Sequence, residues 1–184
     1  MLERYELLIT LLTFLKETSY LSQTLLDDFK SQSGYKITLE MAVRLEREAS
    51  HDCKVALKNL FITIEDFTAA GFNEMKPVYA NLNTNMFKIE GFQVPQPTGL
   101  GRTVRNTHAF QLLLNIFNKA QTYDLCMLVL DTIRNIYLKD ECNYFILESQ
   151  NLVLYSLDDT SIKIHNRTNE IQVNKLSLIQ MSHK

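Results

Sequence analysis

The sequence predicts an all-α fold of armadillo- or HEAT-like helical hairpins, joined by one long Pro- and Gly-rich connection. All three prolines and four of the five glycines lie between Gly71 and Gly101, and these residue types interrupt regular structure more often than any others. The flanking stretches have apolar residues at helical spacing and almost no breakers. We therefore expect one helical domain over 1–150, made of helical blocks 2–70 and 107–150 and a connection at 71–106, followed by a divergent tail at 151–184.

The first predicted helix contains an apolar run, Leu7–Leu15, that is similar to the core of a signal peptide. No small-residue cleavage site follows it, and the run is far shorter than the ~20 residues that span a bilayer. Its polar residues recur every three or four positions and form one narrow stripe: Glu3, Glu6, Thr10, Thr13 and Glu17. This pattern is typical of a core helix that neighbours cover on most sides.

Three more helices are predicted in the first block. We expect Gly34 to close the second in a left-handed cap, Ser50 to cap the start of the fourth, and Gly71 to end it. The inward-facing residues recur three or four apart: Leu21, Leu25, Leu26 and Phe29 in the second helix, Ile37, Met41 and Leu45 in the third (Lys36–Glu48), and Ala56, Leu60, Ile64 and Phe67 in the fourth.

The second block predicts three helices with short connections. Asn106 or Thr107 caps the fifth, a turn around Thr122 precedes the sixth, and Asp140 caps a short seventh that runs through Leu147. Such short connections make sequential helices antiparallel and so produce helical hairpins. The inner faces are Ala109, Leu113, Ile116, Phe117 and Ala120 in the fifth helix and Leu125, Val129, Ile133 and Ile136 in the sixth.

Two of these hairpins share a residue pattern, which favours an α-solenoid of imperfect repeats. Phe14, Lys16, Tyr20, Leu25 and Asp28 recur at a constant offset as Phe117, Lys119, Tyr123, Leu128 and Asp131. An irregular helical bundle remains the alternative. In the tail, the short apolar segments Leu152–Leu157, Ser161–His165 and Glu170–Val173 suggest at most a marginal hairpin, and we expect a loosely ordered tail.

Composition limits the classes of partner. Nineteen basic and 21 acidic residues give a net charge of −2, which offers no electrostatic case for nucleic acid or for an anionic membrane. The three cysteines, Cys53, Cys126 and Cys142, form no Cys-x-x-Cys pair, so neither a disulfide framework nor a zinc ribbon is indicated. A cytoplasmic setting fits this cysteine usage. We expect protein partners, no nucleic acid and no membrane insertion.

No motif supports catalysis, metal binding or a cofactor. Gly99–Val104 resembles a phosphate loop, but a proline-flanked segment precedes it and Val104 stands in place of the third glycine. His51 and Cys53 lie two apart, so their side chains diverge on a helix. The remaining histidines have no metal-ligand spacing. The sequence therefore predicts a protein that is not an enzyme and has no cofactor.

The connection contains the candidate interaction residues. Phe92 and Val94 alternate with polar neighbours, Pro95 and Pro97 impose an extended path, and two arginines follow. The segment Phe92, Val94, Pro95, Pro97, Arg102 and Arg105 is either a docking strand for a partner or a strap. In a strap, the apolar side chains would fill a groove between the two helical blocks.

Three blocks of sequence carry a family resemblance. The first is the segment Gly91–Pro97 with Gly99, Gly101 and Val104–Asn106, the second is Ser22–Phe29 with Gly34-Tyr35, and the third is Leu130–Tyr137 followed by Asn143–Gln150. In order and approximate spacing, from about Phe14 to Gln150, they closely resemble the long helical-repeat region of the large BEACH proteins that carry WD repeats and a FYVE domain. Residues 36–90 match only loosely, and the resemblance stops after Gln150.

The resemblance implies a piece of an armadillo-like scaffold in selective autophagy and endolysosomal membrane traffic. The chain has no FYVE zinc cysteines, no BEACH domain and no WD-repeat blades, and no catalytic residue transfers. A solenoid piece leaves apolar helix faces uncovered at its ends. We expect such faces on the first helix, with Leu8 and Leu12 either on it or in the core, and around Tyr144–Leu147, and hence self-association. The alternatives are a small self-standing adaptor or regulator and a nucleotide-binding enzyme.

Overall fold

A computed structural model describes residues 2–48, 50–78, 93–99, 101–150 and 152. It confirms the predicted all-α fold, since the described residues form seven helices and none lies in a strand. The helices are α1 (Leu2–Ser19), α2 (Thr24–Ser31), α3 (Gly34–Glu48), α4 (His51–Phe67), α5 (Thr107–Lys119), α6 (Tyr123–Lys139) and α7 (Cys142–Ser149).

The helices stack in two layers. One layer contains α1, α4 and α6 in that order, and the other contains α3 and α5, with the short α2 packed between α1 and α3. Helices within a layer run parallel: the start of α3 meets the start of α5 through Tyr35 and Asn106, and the end of α3 meets the end of α5 through Glu46 and Gln121. Stacked hairpins with parallel neighbours are the arrangement of an α-solenoid.

The hairpins that stack are α3–α4 on α5–α6, because α3 packs on α5 and α4 packs on α6. The repeated residue pattern in the sequence instead equates α1–α2 with α5–α6. In the structure, α2 has only 8 residues and α6 has 17, so these two pairs are not equivalent units. The hairpins do stack as repeats, but the hairpin that stacks on α5–α6 is α3–α4 and not α1–α2.

Side-chain caps start α4, α5 and α6. Ser50 Oγ accepts from the Cys53 amide, Asn106 Oδ1 from the Ala109 amide, and Thr122 Oγ1 from the Leu125 amide, so each satisfies an amide of the first turn that has no intrahelical acceptor. The prediction for Gly34 was wrong. Ser33 takes the left-handed conformation, with φ 62°, and Gly34 begins α3.

Gly34 is required for a different reason. A Cβ atom at this position would collide with the ring of Phe29, which lies edge-on to Tyr35 with 5.0 Å between ring centroids. The glycine thus lets α2 close against the first turn of α3.

Most of the predicted inward positions form one core. Leu60, Ile64, Phe67, Leu113, Ile116 and Ile136 are at most 1% exposed. Two predicted core residues were wrong: Leu21 is 83% exposed and Ile37 is 53% exposed. Leu21 follows the end of α1 in the turn to α2, and Ile37 lies on the side of α3 turned away from α4 and α5, where no helix covers it.

The described parts of the connection, 71–78, 93–99 and 101–106, contain neither helix nor strand. The tail predicted at 151–184, apart from Leu152, and the hairpin suggested in it lie outside the described residues. Among the helices that the structure describes, none is both long enough and apolar enough to cross a membrane.

Candidate functional site

The predicted interaction segment lies against the second helical block. Val94, Pro95 and Pro97 are half-buried and Arg102 is exposed, whereas Phe92 lies outside the described residues. The amide and the hydroxyl of Thr98 both donate to Asp140 Oδ2, the amide at 2.9 Å. Because Asp140 begins the turn into α7, this contact ties the extended segment to the α6–α7 corner.

Asn143 anchors the next part of the segment. Its Oδ1 accepts from the Val104 amide at 2.8 Å, and its Nδ2 donates to the carbonyls of Arg102 at 3.0 Å and Ile136 at 2.7 Å. Asn143 is fully buried. A single amide side chain on α7 therefore holds the segment and the end of α6 together.

The segment then reaches the first helical block. The amides of Arg105 and Asn106 both donate to the Thr68 carbonyl at 2.9 Å, just after α4 ends. The Arg105 guanidinium lies over the ring of Tyr20, 5.8 Å from its centroid, and its Nη1 donates to the Gly71 carbonyl at 3.4 Å. Thr98 and residues 101–106, referred to below as the strap, thus contact both blocks. The docking interpretation of Val94 and its prolines stays a prediction.

An ion-pair network joins the three helices of one layer at their C-terminal ends. The Asp66 carboxylate on α4 forms salt bridges with Lys16 Nζ of α1 at 3.1 Å and with Lys139 Nζ of α6 at 3.0 Å. Lys139 also pairs with Glu65 at 2.8 Å. Burial alone would raise the pKa of Asp66, but the two lysines outweigh it and hold the pKa below the usual value. The network fixes the register of the stacked helices.

The outer surface of α1 carries an apolar stripe. Leu7, Leu11 and Phe14 are 71%, 44% and 56% exposed, and their spacing places them on one side of the helix. Leu8 and Leu12 point the other way and are 7% and 1% exposed, so these two residues belong to the core. Because α1 forms the edge of its layer, it has two apolar sides: one faces the core and the other faces solvent.

The other predicted end face is not uncovered. In α7, Ile146 is 1% exposed and Leu147 is fully buried, because α7 packs against α6 and its apolar side closes that end of the second block. The prediction of an uncovered face around Tyr144–Leu147 was therefore wrong for these two side chains.

A polar cleft of about 220 Å³ opens where α2, the start of α3 and the start of α5 meet. Its lining includes Asp27 and Lys30 of α2, Tyr35 of α3, and Arg105 and Asn106 of the strap. Tyr35 donates to Asn106 Oδ1 at 2.8 Å. Burial raises the pKa of Tyr35 to about 12 against the lowering effect of this bond, so Tyr35 is a neutral donor at physiological pH.

The two motifs that resemble a catalytic pair and a phosphate loop each have a residue that hydrogen-bonds within the protein, Cys53 and Val104. The Cys53 thiol donates to Glu48 Oε2 at 3.4 Å, and His51 is exposed. In the glycine-containing segment the amide of Val104, like those of the two following residues, donates within the protein. No three His, Cys, Asp or Glu side chains form a metal-binding group within the described part of the chain.

Sequence reasoning missed three polar residues that connect distant parts of the chain. Glu46, Asp66 and Asn143 bond to partners 39 to 76 positions away. Glu46 had one available signal, since this carboxylate follows Leu45 and lies one helical turn after Ala42 in a predicted helix. The other two residues gave no comparable signal.

Comparison with known proteins extends the structural result. The chain is similar to WD repeat- and FYVE domain-containing protein 4 of Homo sapiens and of Mus musculus, 30% identical to each over 138 residues. These residues are 75% of this chain, which spans only 4% of the length of the curated relatives that it matches. No family model matches the chain, and no solved structure matches it.

The matched share agrees with the sequence resemblance between about Phe14 and Gln150. This stretch contains α2 to α7 and the C-terminal third of α1. Over three quarters of its length, this chain is similar to WD repeat- and FYVE domain-containing proteins.

Proposed function

We propose that this chain is a non-enzymatic scaffold segment that acts through protein–protein contacts in selective autophagy and endolysosomal membrane traffic. The observation that carries the proposal is the exposed stripe of Leu7, Leu11 and Phe14 on the edge helix of a solenoid layer. In a solenoid each helix buries its core against the next one, so an apolar edge suits a further protein surface. The autophagy setting rests on the family resemblance. The setting we propose is cytoplasmic, at the periphery of autophagic or endosomal membranes in a full-length relative.

Three exposed apolar side chains in a row favour contact with protein over solvent. Burying apolar surface contributes roughly 25 cal/mol per Å², and the stripe has two leucines and one phenylalanine to contribute. Glu3, Glu6 and Glu17 are exposed beside it, which favours a contact surface with basic residues at its margin.

Sedimentation velocity over a concentration series tests the stripe. We expect the unmodified chain to self-associate, and the double variant Leu7→Glu and Leu11→Glu to remain monomeric with unchanged circular dichroism. Ile37→Glu is the matched control, because Ile37 is exposed in the other layer and its replacement should leave association unchanged. A clean monomer at high concentration for the unmodified chain would contradict the stripe as a contact and favour a small self-standing adaptor or regulator.

The enzyme alternative rests on Gly99–Val104. The Val104 amide of this segment already donates to Asn143, which speaks against a phosphate loop, since such a loop must offer its N–H groups to the ligand. Calorimetric titration with ATP, GTP and NAD should give no heat of binding. Micromolar binding of any of these nucleotides would support the enzyme alternative instead.

A further inference from the structure

Two buried donors beside the polar cleft have no hydrogen-bond partner within the described residues: Asn106 Nδ2 and Arg105 Nε. Asn106 is 5% exposed, and its other side-chain atom, Oδ1, is fully used by the Tyr35 hydroxyl and the Ala109 amide. A buried donor without an acceptor costs roughly 1–3 kcal/mol. Because both residues line the same cleft, this cost is relieved if the cleft receives an acceptor group.

The start of α5 adds to the donors in this cleft. Thr107 and His108 line it, and their amides belong to the first turn of a 13-residue helix, whose N–H groups have no intrahelical acceptor. The helix dipole also favours negative charge at this position. The Ala109 amide is already capped by Asn106, so the two preceding amides and the two side-chain donors are the groups that an acceptor would meet.

The charges around the cleft select a singly charged acceptor. Lys30 and Arg105 are positive and Asp27 is negative. Burial, followed by the charge of Lys30, lowers the pKa of His108, so this imidazole is neutral at pH 7. The side chains that line the cleft therefore have one net positive charge. A carboxylate neutralises this charge, whereas a doubly charged phosphate would leave one negative charge in excess. The planar guanidinium of Arg105 also suits a planar carboxylate.

We propose that this cleft binds a carboxylate group presented by a partner polypeptide. The site lies at the junction of both helical blocks and the strap, so an occupied cleft would tie α2, α3 and α5 together. The identity of the ligand as part of a protein rests on the proposed scaffold function, whereas the preference for a carboxylate rests on the cleft alone.

Nuclear magnetic resonance of the full chain tests the site with three probes. N-acetylglutamate N-methylamide represents an acidic side chain, N-acetylglycine represents a chain terminus, and inorganic phosphate represents the doubly charged class. We expect one or both carboxylates to cause saturable shifts of the Arg105 Nε–H, the Asn106 side-chain amide and the Thr107 and His108 amides. Whichever carboxylate binds more tightly identifies the source of the group.

Variants then test the charges. Lys30→Gln and Arg105→Gln should each weaken carboxylate binding by about tenfold, and Asp27→Asn should strengthen it. Arg102→Gln is the matched control, because Arg102 is exposed on the same strap outside the cleft and its replacement should change nothing. Lys30 is exposed, so its variant keeps the test valid if Arg105→Gln fails to fold.

Two results would overturn the proposal. One is the absence of carboxylate-dependent shifts at the four donors, and the other is tighter binding of phosphate than of either carboxylate. Neither result changes what sedimentation velocity reports about self-association. The carboxylate-binding proposal and the proposed scaffold function can therefore fail independently of each other. Conversely, carboxylate binding by a chain that stays monomeric would support the cleft without support from the α1 stripe.

Discussion

Glu46 accepts hydrogen bonds from both the backbone amide and the hydroxyl of Thr122, at 2.7 and 2.8 Å. The same oxygen, Oε1, accepts from the Gln121 amide at 2.9 Å. Thr122 is itself the N-cap of α6, so a carboxylate from α3 stabilises the start of a helix in the following hairpin. A negative charge at a helix N-terminus is favourable, and this contact connects the two hairpins at the end opposite Tyr35.

Replacing Glu46 should destabilise the stacked hairpins. Glu46→Ala leaves the Gln121 and Thr122 amides without their acceptor, and we expect a loss of about 2 kcal/mol in the free energy of unfolding. Urea denaturation followed by circular dichroism measures it. Glu40→Ala is the control, since Glu40 is exposed on the same helix. Equal stability of the two variants would show that the cap contributes nothing.

Adjacent leucines on α1 should respond in opposite ways. Leu12 is 1% exposed and Leu11 is 44% exposed. We expect Leu12→Ala to cost about 2–5 kcal/mol in the free energy of unfolding and Leu11→Ala to cost at most about 0.5 kcal/mol. Chemical denaturation of both variants at a concentration where the chain is monomeric gives the comparison. A large loss for Leu11→Ala would place that side chain in the core.

Hydrogen exchange should report the anchor of the strap. In Asn143→Ala the Val104 amide loses its acceptor, so we expect it to exchange much faster than in the unmodified chain. Two carbonyls also lose their donor, and the free energy of unfolding should fall by about 2–3 kcal/mol. Asn135→Ala is the control on α6, where Asn135 is exposed and bonds Glu65 at 3.2 Å. Unchanged protection of Val104 in Asn143→Ala would mean that the strap is held by other contacts.

Lowering the pH should weaken the salt bridges by which Asp66 connects α4 to α1 and α6. Lys139 and Lys16 hold the pKa of Asp66 below its usual 3.8 despite burial, so protonation favours the unfolded chain. The stabilisation is therefore fully present above about pH 4 and is lost as pH falls through the lower folded value. We expect Asp66→Asn to cost less than about 1 kcal/mol at pH 7 and a smaller amount near pH 2.

Urea denaturation at the two pH values tests this dependence, with Asp131→Asn as a control because Asp131 is exposed on α6. If the difference between the unmodified chain and Asp66→Asn were as large at pH 2 as at pH 7, the ionised carboxylate would not be its source.

The helices were predictable because their signals are local. Apolar spacing and the caps Ser50 and Asn106 depend on residues within one or two turns, and the structure places both caps as expected. Gly34 shows the limit of the same reasoning. Its role depends on the ring of Phe29 in the preceding helix, and the left-handed position belongs to Ser33.

The all-α class, the seven helices, the long connection and the resemblance to proteins with WD repeats and a FYVE domain could be predicted from the sequence. The packing of the helices was needed to show which apolar side of α1 is covered, which hairpins stack, and what Glu46, Asp66 and Asn143 bind. The physical reason is that a helix apolar on most sides has no single inward direction of its own, so Leu12 is buried and Leu11 exposed only because α4 packs on one side. A buried polar side chain likewise takes its role from donors and acceptors far away in the chain, and folding alone brings these groups within 3 Å.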